Sequence, residues 1–187
     1  MATSHKGLFL NQRKYILDLL KEVNMRDAKP AITPLDSKLK PSLEGTPLID
    51  IRHYQRLVGK LIYLTITRPD ITYSVSVVSQ FMHSPTIKHL NLVKRILRYL
   101  KGSVGRGIIM KKNENTQLMG YCDADWAGNT IDHKSTTGYC TFVGGNLVTW
   151  KSEKQNVITR SSAEAEYRAM ASTACELIWL KGLLSDL

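Results

Sequence analysis

Two carboxylates stand one residue apart in the stretch from Gly120 to Gly128, which reads GYCDADWAG. The residues before them alternate apolar and polar in the manner of a β-strand, and side chains at positions i and i+2 of a strand share one face. Asp123 and Asp125 would then repel each other at one strand end. The pair therefore predicts either a neighbour that offsets the repulsion or a strand that ends between the two residues.

A second acid pair, Glu164 and Glu166, falls in the first turns of a predicted long helix. Ser161 and Glu164 have the Ser-x-x-Glu spacing of a capping box, so the helix is expected to begin there. A helix packed across the sheet could bring Glu166 towards Asp123. On the alternative interpretation, Glu164 and Glu166 only complement the positive end of the helix and Asp125 caps a turn.

Carboxylates that converge on one point raise each other's proton affinity, and a divalent cation removes this conflict. Magnesium prefers oxygen ligands and keeps several waters, so it suits a site that must also hold a phosphate. Two such ions can activate a water and stabilise the leaving oxygen in phosphodiester hydrolysis. The acid pairs therefore make magnesium-dependent phosphodiester chemistry one hypothesis and a purely structural role the other.

The elements that must position these acids are three short strands and the long helix. The strands are expected at TQLMGYCDAD, TTGYCTFVGG and NLVTWKSEK, with GGN as a tight hairpin turn between the last two. On the helix, the spacing of the larger and smaller apolar side chains predicts one lined face, made of Tyr167, Met170, Ala171, Ala174 and Ile178. The many small residues of this helix would let it pack closely on a sheet.

Residues 1–112 instead show helical periodicity. Helices are expected over residues 10–25, over DIRHYQRLVGKLIYLTIT, over PDITYSVSVVSQFMHS with Pro69 in its first turn, and over TIKHLNLVKRILRYLKG with Gly102 as its C-cap. In the last of these, one apolar stripe is formed by Leu90, Val93, Leu97 and Leu100. Residues 27–50 hold four prolines and almost no period, which predicts an extended connector.

Charge is unevenly divided along the chain. Residues 1–112 carry 20 Lys and Arg against 7 Asp and Glu, whereas residues 113–187 carry 6 against 9, for a net charge of +10. A basic part joined to an acidic part suggests that one of them contacts a polyanion. In the last predicted helix of the basic part, the cations that fall largely off the apolar stripe predict a phosphate-contacting face, with a merely solvated face as the alternative: Lys88, Lys94, Arg95, Arg98 and Lys101.

Composition excludes several classes of protein. With 43% apolar and 22% charged residues the chain is globular rather than disordered. Neither a secretory signal nor an apolar run of membrane-spanning length occurs, so we expect an intracellular protein of the cytoplasm or nucleus with no membrane partner. The three cysteines and five histidines show no paired zinc-ligand spacing, which favours reduced thiols.

Seven successive words of the sequence resemble the Pol polyprotein of copia-type LTR retrotransposons: GLFLNQRKYILDLL, YQRLVGKLIYLTITRPDITYSVSVVSQFMHSP, RILRYLKG, GYCDADWAG, STTGYCTFVGGNLVTWKSEKQ, SSAEAEYRAM and ELIWLKGLL. They occur in order and cover nearly all of residues 7–187. The resembling region runs from the end of the reverse transcriptase into ribonuclease H.

This resemblance implies an α+β chain of two parts. Residues 1–112 would be a helical region like the thumb and connection of a reverse transcriptase. Residues 113–187 would be the N-terminal portion of a ribonuclease H-like domain, an incomplete fold of three antiparallel strands and a long helix. In that family the first catalytic Asp lies on the first strand and the helix acid follows an Ala, which implies Asp123 and Glu166 as catalytic residues and Mg²⁺ ligands, with Asp125 and Glu164 as secondary candidates.

The sequence also departs from the family pattern. The aromatic-x-Asp-Asp motif of the polymerase does not occur, and no Asp-Asn strand supplies the family's third acidic ligand before Leu187. The implied function is therefore a fragment related to magnesium-dependent ribonuclease H, with an incomplete two-ion site and little or no activity. The alternatives are a non-catalytic protein that binds RNA–DNA hybrid or another nucleic acid, and a recruited module that binds a protein through an exposed sheet edge. The remainder of the Pol polyprotein is a further expected partner.

Overall fold

A computed structural model describes residues 2–36, 42, 44–129 and 131–186. Backbone contacts divide the chain into two compact units, Phe9–Ile108 and Ala2–Leu8 together with Ile109–Leu187. The described helices and strands fall in separate runs along the chain, with most helices before residue 103 and most strands after it, which confirms the α+β prediction. None of the described helices combines the length and apolarity needed to cross a membrane.

Helices build the first unit. They are α1 (Arg13–Glu22), α2 (Ile51–Leu64), a 3₁₀ turn (Pro69–Ile71), α3 (Thr72–Ser79) and α4 (Ile87–Gly102). Apolar side chains at helical spacing meet in one buried core, formed by Ile16, Leu19, Leu20, Tyr54, Leu57, Val58, Leu61, Leu64, Ile71, Val75, Val78, Val93, Ile96, Leu97, Tyr99 and Leu100. The four predicted helices are thus confirmed, and the stripe of α4 faces this core.

The ends of these helices differ from the sequence expectation in three places. The helix expected to start at Pro69 opens with the 3₁₀ turn and ends at Ser79. Gly102 is the last residue of α4 and not its cap, because Ser103 caps the helix with a negative φ. At the other end of α4, Thr86 forms a capping box in which His89 takes the place of the usual Glu: the Thr86 amide donates to His89 Nδ1 at 3.0 Å.

The connector of residues 27–50 has neither helix nor strand in its described parts, as predicted, apart from an isolated bridge between Pro47 and Thr86. Residues 37–41 and 43 of the predicted connector, including Pro41, lie outside the described residues.

An ion pair between the buried Arg68 and the partly exposed Asp70 anchors the turn between α2 and α3 to the end of α4. Arg68 is 1% exposed; its Nε and Nη2 donate to the two carboxylate oxygens of Asp70 at 2.8 and 2.7 Å. The same guanidinium donates to the Ser103 carbonyl and hydroxyl at 3.0 and 2.7 Å, and the Tyr99 hydroxyl donates to Asp70 at 2.7 Å. A cation this deeply buried requires such partners, because desolvation would otherwise destabilise the fold.

The second unit contains a hairpin sheet covered by one helix. Strands β4 (Leu118–Asp125), β5 (Thr136–Val143) and β6 (Asn146–Lys154) pair antiparallel in the order β4-β5-β6, and α5 spans Ser162–Ser185. The turn between β5 and β6 is formed by Gly144 and Gly145, whose φ angles of 55° and 74° suit glycine. The three strands, the glycine turn and the long helix are confirmed.

A second sheet was not predicted. It consists of β1 (Ala2–Ser4), β2 (Gly7–Leu10) and β3 (Ile108–Lys111), in the order β1-β2-β3. These strands are three or four residues long, too short for alternation to be read with certainty from sequence.

Helix α5 approaches β4 most closely at Gly120. A Cβ atom there would lie 2.9 Å from Thr173 Cγ2 and 3.0 Å from Leu177 Cδ1. The buried residues of α5 are Ala165, Ala169, Thr173 and Leu180. The face predicted from apolar spacing is instead exposed, with Tyr167 and Ile178 at 70% and 71%. The small side chains therefore form the packing face, since they allow close approach.

We expect Asp70→Asn to destabilise the first unit by about 2 kcal/mol, because it removes the carboxylate partner of the buried Arg68, while the bonds of Arg68 to Ser103 remain. Equilibrium unfolding in urea, followed by circular dichroism, measures the loss. Asp18→Asn, at an exposed position of α1, is the matched control and should change stability by less than about 0.5 kcal/mol. Equal effects of the two variants would contradict a special role for the pair.

The same carboxylate predicts a pH dependence. Burial raises the pKa of Asp70, but hydrogen bonds from Arg68 and Tyr99 and the charge of Arg68 outweigh it, so the pKa of Asp70 is lowered overall. A lowered pKa stabilises the fold above the unfolded-state pKa of about 4, and this stabilisation is lost as pH falls through the folded-state value. Unfolding titrations between neutral pH and pH 2 should show a loss in the wild type that is smaller in Asp70→Asn.

Gly120→Ala should destabilise the second unit by about 1–2 kcal/mol, because the added methyl group must displace Thr173 or Leu177. Gly138→Ala is its control: this glycine lies on the neighbouring strand, opposite Asp123, with no atom within 4 Å of the added Cβ. That variant should be neutral or slightly stabilising. Urea unfolding of both variants tests this prediction. Equal stability of the Gly120→Ala and Gly138→Ala proteins would refute the close approach of α5 to β4.

Candidate active site

Strand alternation decides which way the acids of β4 point. Gly120 faces α5, so Cys122 and Ala124 share that face. Asp123 belongs to the opposite face together with Tyr121, whose ring meets Phe142 edge-on at 5.9 Å. The register with β5 is unbroken from residue 118 to residue 125, so this alternation holds along the whole strand.

Glu166 reaches β4 from the first turns of α5. Its Oε1 accepts a hydrogen bond from the backbone amide of Ala124 at 3.3 Å. Within the described sheet β4 is an edge strand, and an edge amide needs such a partner when no further strand pairs with it. The carboxylate of Glu166 therefore lies beside the backbone of the residue that follows Asp123.

Glu164 is occupied elsewhere. Its Oε2 accepts from the Arg160 amide at 2.9 Å, and its Oε1 accepts from Arg168 Nη2 at 2.9 Å. The hydrogen bond from the Arg160 amide, and then that from the Arg168 side chain, lower the pKa of Glu164. Ser161 accepts from the Glu164 amide at 3.1 Å, as its predicted capping role requires. For Glu164 the structure thus favours the helix-capping interpretation.

Asp125 also turns away from a shared site. Its carboxylate lies over the turn that follows β4, where a side chain on Gly128 would collide with it. This position matches the turn-capping alternative for Asp125 and explains how two acids one residue apart avoid each other. Asp123 and Glu166 remain, but they stand on different sides of β4: Glu166 reaches the strand from α5, whereas Asp123 belongs to the face away from α5.

A cluster of buried hydroxyl groups ties the loop after β4 to the segment before α5. Ser135 and Thr159, 0% and 3% exposed, share a hydrogen bond of 2.8 Å. Ser135 Oγ accepts from the Ala127 amide at 3.1 Å, and Trp126 Nε1 donates to the Thr159 carbonyl at 3.3 Å. No local sequence pattern indicates this cluster, because its two hydroxyl groups belong to an ordinary Ser and Thr that lie 24 residues apart.

The two carboxylates provide only some of the ligands that a cation such as Mg²⁺ needs. Among the described residues no group of three or more His, Cys, Asp or Glu side chains could hold a metal ion. Asp123 and Glu166 offer two carboxylates, and Mg²⁺ is commonly bound through one or two carboxylates with waters and substrate phosphates as its other ligands. A magnesium ion shared by Asp123 and Glu166 therefore stays a prediction.

The five basic residues predicted to bind nucleic acid divide into two groups. Lys88 and Lys94 are exposed and Arg98 is half-buried. Arg95 donates to the Thr33 carbonyl and hydroxyl at 3.3 and 2.9 Å, and Lys101 donates to the Ala28 carbonyl at 2.8 Å. These last two hold the connector against α4. Nucleic-acid binding by the set stays a prediction.

A groove of about 550 Å³ between α5 and the sheet does not include Asp123 or Glu166. Its cations already have carboxylate partners: Lys151 pairs with Glu153, Lys154 with Asp132, and Arg168 with Glu164. The groove therefore presents little unbalanced charge to a ligand.

The chain is similar to the Pol polyproteins of several transposons. It is 50% identical over 182 residues to the retrovirus-related Pol polyprotein from transposon RE1 of Arabidopsis thaliana, covering 97% of this chain and 12% of the polyprotein. Against the Pol polyprotein from transposon TNT 1-94 of Nicotiana tabacum it is 41% identical over 193 residues, covering 99% of this chain and 14% of the polyprotein. The chain thus spans about one-eighth of the length of these polyproteins.

The chain covers a larger share of one shorter relative. An uncharacterized mitochondrial protein of Arabidopsis thaliana is 46% identical over 179 residues, which is 96% of this chain and 75% of that protein. No family model matches the chain, and no solved structure matches it. With these identities maintained over nearly its whole length, the chain belongs to the copia-type retrotransposon Pol polyprotein family.

Proposed function

We propose that Asp123 and Glu166 form a ribonuclease H-type site that takes Mg²⁺ and acts on the RNA strand of RNA–DNA hybrids, with little or no turnover by this chain alone. The observation that supports the proposal most directly is the 3.3 Å hydrogen bond from the Ala124 amide to Glu166. It brings the acid of the helix to the strand that carries Asp123. The family resemblance in the sequence supplies the reaction type.

Each residue of the pair has a distinct task. The Ala124 amide holds one oxygen of Glu166 and leaves its second oxygen for a ligand. Asp123 stands on a strand whose pairing with β5 is regular, so its backbone position is fixed. If these two residues held Mg²⁺, the ion would supply a water of lowered pKa and neutralise charge at the scissile phosphate. Arg168 and the Arg160 amide keep Glu164 out of this site.

Low turnover follows from the ligand count. Two protein carboxylates leave most of the coordination shell to water and substrate, so the ion is held weakly until a phosphate arrives. In the relatives, the matching segment is one part of a longer Pol polyprotein. The remainder of such a polyprotein is the expected context for full activity.

A second candidate function is binding of nucleic acid without cleavage. It is favoured by the exposed Lys88 and Lys94 on α4 and by the excess of 20 basic over 7 acidic residues in residues 1–112. Backbone contacts by such residues give affinity that falls steeply with salt. The third hypothesis, a protein-binding sheet edge, has β4 as its candidate edge strand.

The deciding experiment measures metal binding and hybrid cleavage in the same set of variants. Isothermal titration with Mg²⁺ or Mn²⁺ in the presence of an uncleavable hybrid should give an affinity that falls tenfold or more in Asp123→Asn and Glu166→Gln, since each removes a direct ligand. Any cleavage of labelled hybrid should disappear in both. Glu176→Gln is the control, because this acid lies on the same helix and bonds Tyr139 instead.

Two results would separate the hypotheses. Metal affinity unchanged in both site variants would overturn the magnesium site. Tight hybrid binding that needs no divalent ion and is lost in Lys88→Glu/Lys94→Glu would establish the non-catalytic binder in its place.

A further inference from the structure

We infer that the Trp126 indole is a preformed stacking surface for a base of the nucleic acid held at the Asp123–Glu166 pair. The inference rests on the proposed function and adds a substrate contact to it. Trp126 follows Asp125 directly, at the end of the strand that carries the acids, and its side chain is 49% exposed.

The indole is fixed although half of it is exposed. Its Nε1 donates to the Thr159 carbonyl at 3.3 Å, which satisfies its single polar group. Thr159 is itself 3% exposed and bonded through its hydroxyl to Ser135. A ring tethered to buried backbone in this way loses little conformational freedom when a ligand covers it, which favours binding.

The backbone beneath the ring is equally constrained. The next residue, Ala127, has a φ of 50° and donates its amide to Ser135 Oγ at 3.1 Å. A non-glycine residue in this left-handed region is unfavourable unless its surroundings enforce it. The Ser135–Thr159 pair enforces it here, and the turn holds Trp126 between the strand of Asp123 and the segment that leads into the helix of Glu166.

Nucleic acid is the ligand class that matches both features together. A cation held by the carboxylates would attract a phosphate, and a base of the same nucleic-acid strand would supply a flat π-surface for Trp126. Stacking of a base on an aromatic side chain does not depend on the base identity, as a nuclease without sequence preference requires. A protein partner would use the ring but would give no role to the neighbouring acids.

The test measures hybrid affinity by fluorescence anisotropy with Mg²⁺ replaced by Ca²⁺ to prevent cleavage. Trp126→Ala should weaken binding about tenfold, the effect expected for one lost base stack. Trp126→Phe, which keeps a ring, should weaken it about threefold or less. Trp179→Ala is the matched control, since Trp179 is 58% exposed on α5 and should leave the affinity unchanged.

Intrinsic fluorescence provides a readout that a merely structural role would not move. Hybrid should quench the tryptophan emission of the wild type, and Trp126→Phe should lose most of that quenching while Trp179→Phe retains it. Thermal unfolding of Trp126→Phe within a few degrees of the wild type shows that the fold is intact.

The outcomes distinguish the inference from the function on which it rests. Wild-type binding and quenching that survive in both Trp126 variants overturn the stacking surface and leave the metal site standing. A wild type that binds no hybrid with either divalent ion overturns both. Quenching by a protein partner alone, with hybrid ineffective, overturns the nucleic-acid assignment.

Discussion

The close approach of α5 to β4 is the constraint on which the candidate site depends. Gly120 has no side chain, so Thr173 and Leu177 lie where a Cβ would meet them at 2.9 and 3.0 Å. Ala165 and Ala169 continue the same buried face towards the start of the helix. This contact fixes how far α5 lies from the strand, and only at that separation does a glutamate in its second turn reach the Ala124 amide. A bulkier residue at position 120 would therefore act on the acid pair from a distance, through the position of the helix.

The same geometry separates acids that the sequence places side by side. Glu164 and Glu166 are two residues apart, which on a helix turns their side chains roughly 200° from each other. One faces Arg160 and Arg168 and stabilises the helix start, while the other faces β4. On the strand, Asp125 folds over the turn at Gly128 and leaves Asp123 without a competing carboxylate. Electrostatic repulsion is thus avoided by local geometry, and the acids that remain are the two on which the family resemblance also converges.

Sequence was sufficient wherever a local pattern determines the structure. Alternation identified β4, β5 and β6, the paired glycines identified their hairpin, and Ser161 identified the start of α5. Sequence patterns failed where the structure depends on contacts between residues far apart in the chain. Helix α5 is apolar on two sides, so periodicity could not tell that Tyr167 and Ile178 face outward and the small residues inward. The buried partners of Arg68 at Ser103 lie 35 residues away, and His89 caps α4 in a place where the usual pattern has Glu.

The uneven distribution of charge along the chain affects how a polyanion could bind. Net charge alone overstates the cations available, because Arg95 and Lys101 are committed to the connector while Lys88 and Lys94 are exposed. The acidic part has the opposite difficulty, since Asp123 and Glu166 repel a phosphate until a divalent ion is present. On the proposed function, monovalent salt would weaken attraction by the basic residues, whereas a divalent ion would make the acid pair attractive to a phosphate. Binding that requires both features would be selective for a nucleic acid able to bring its own phosphate ligand to the ion.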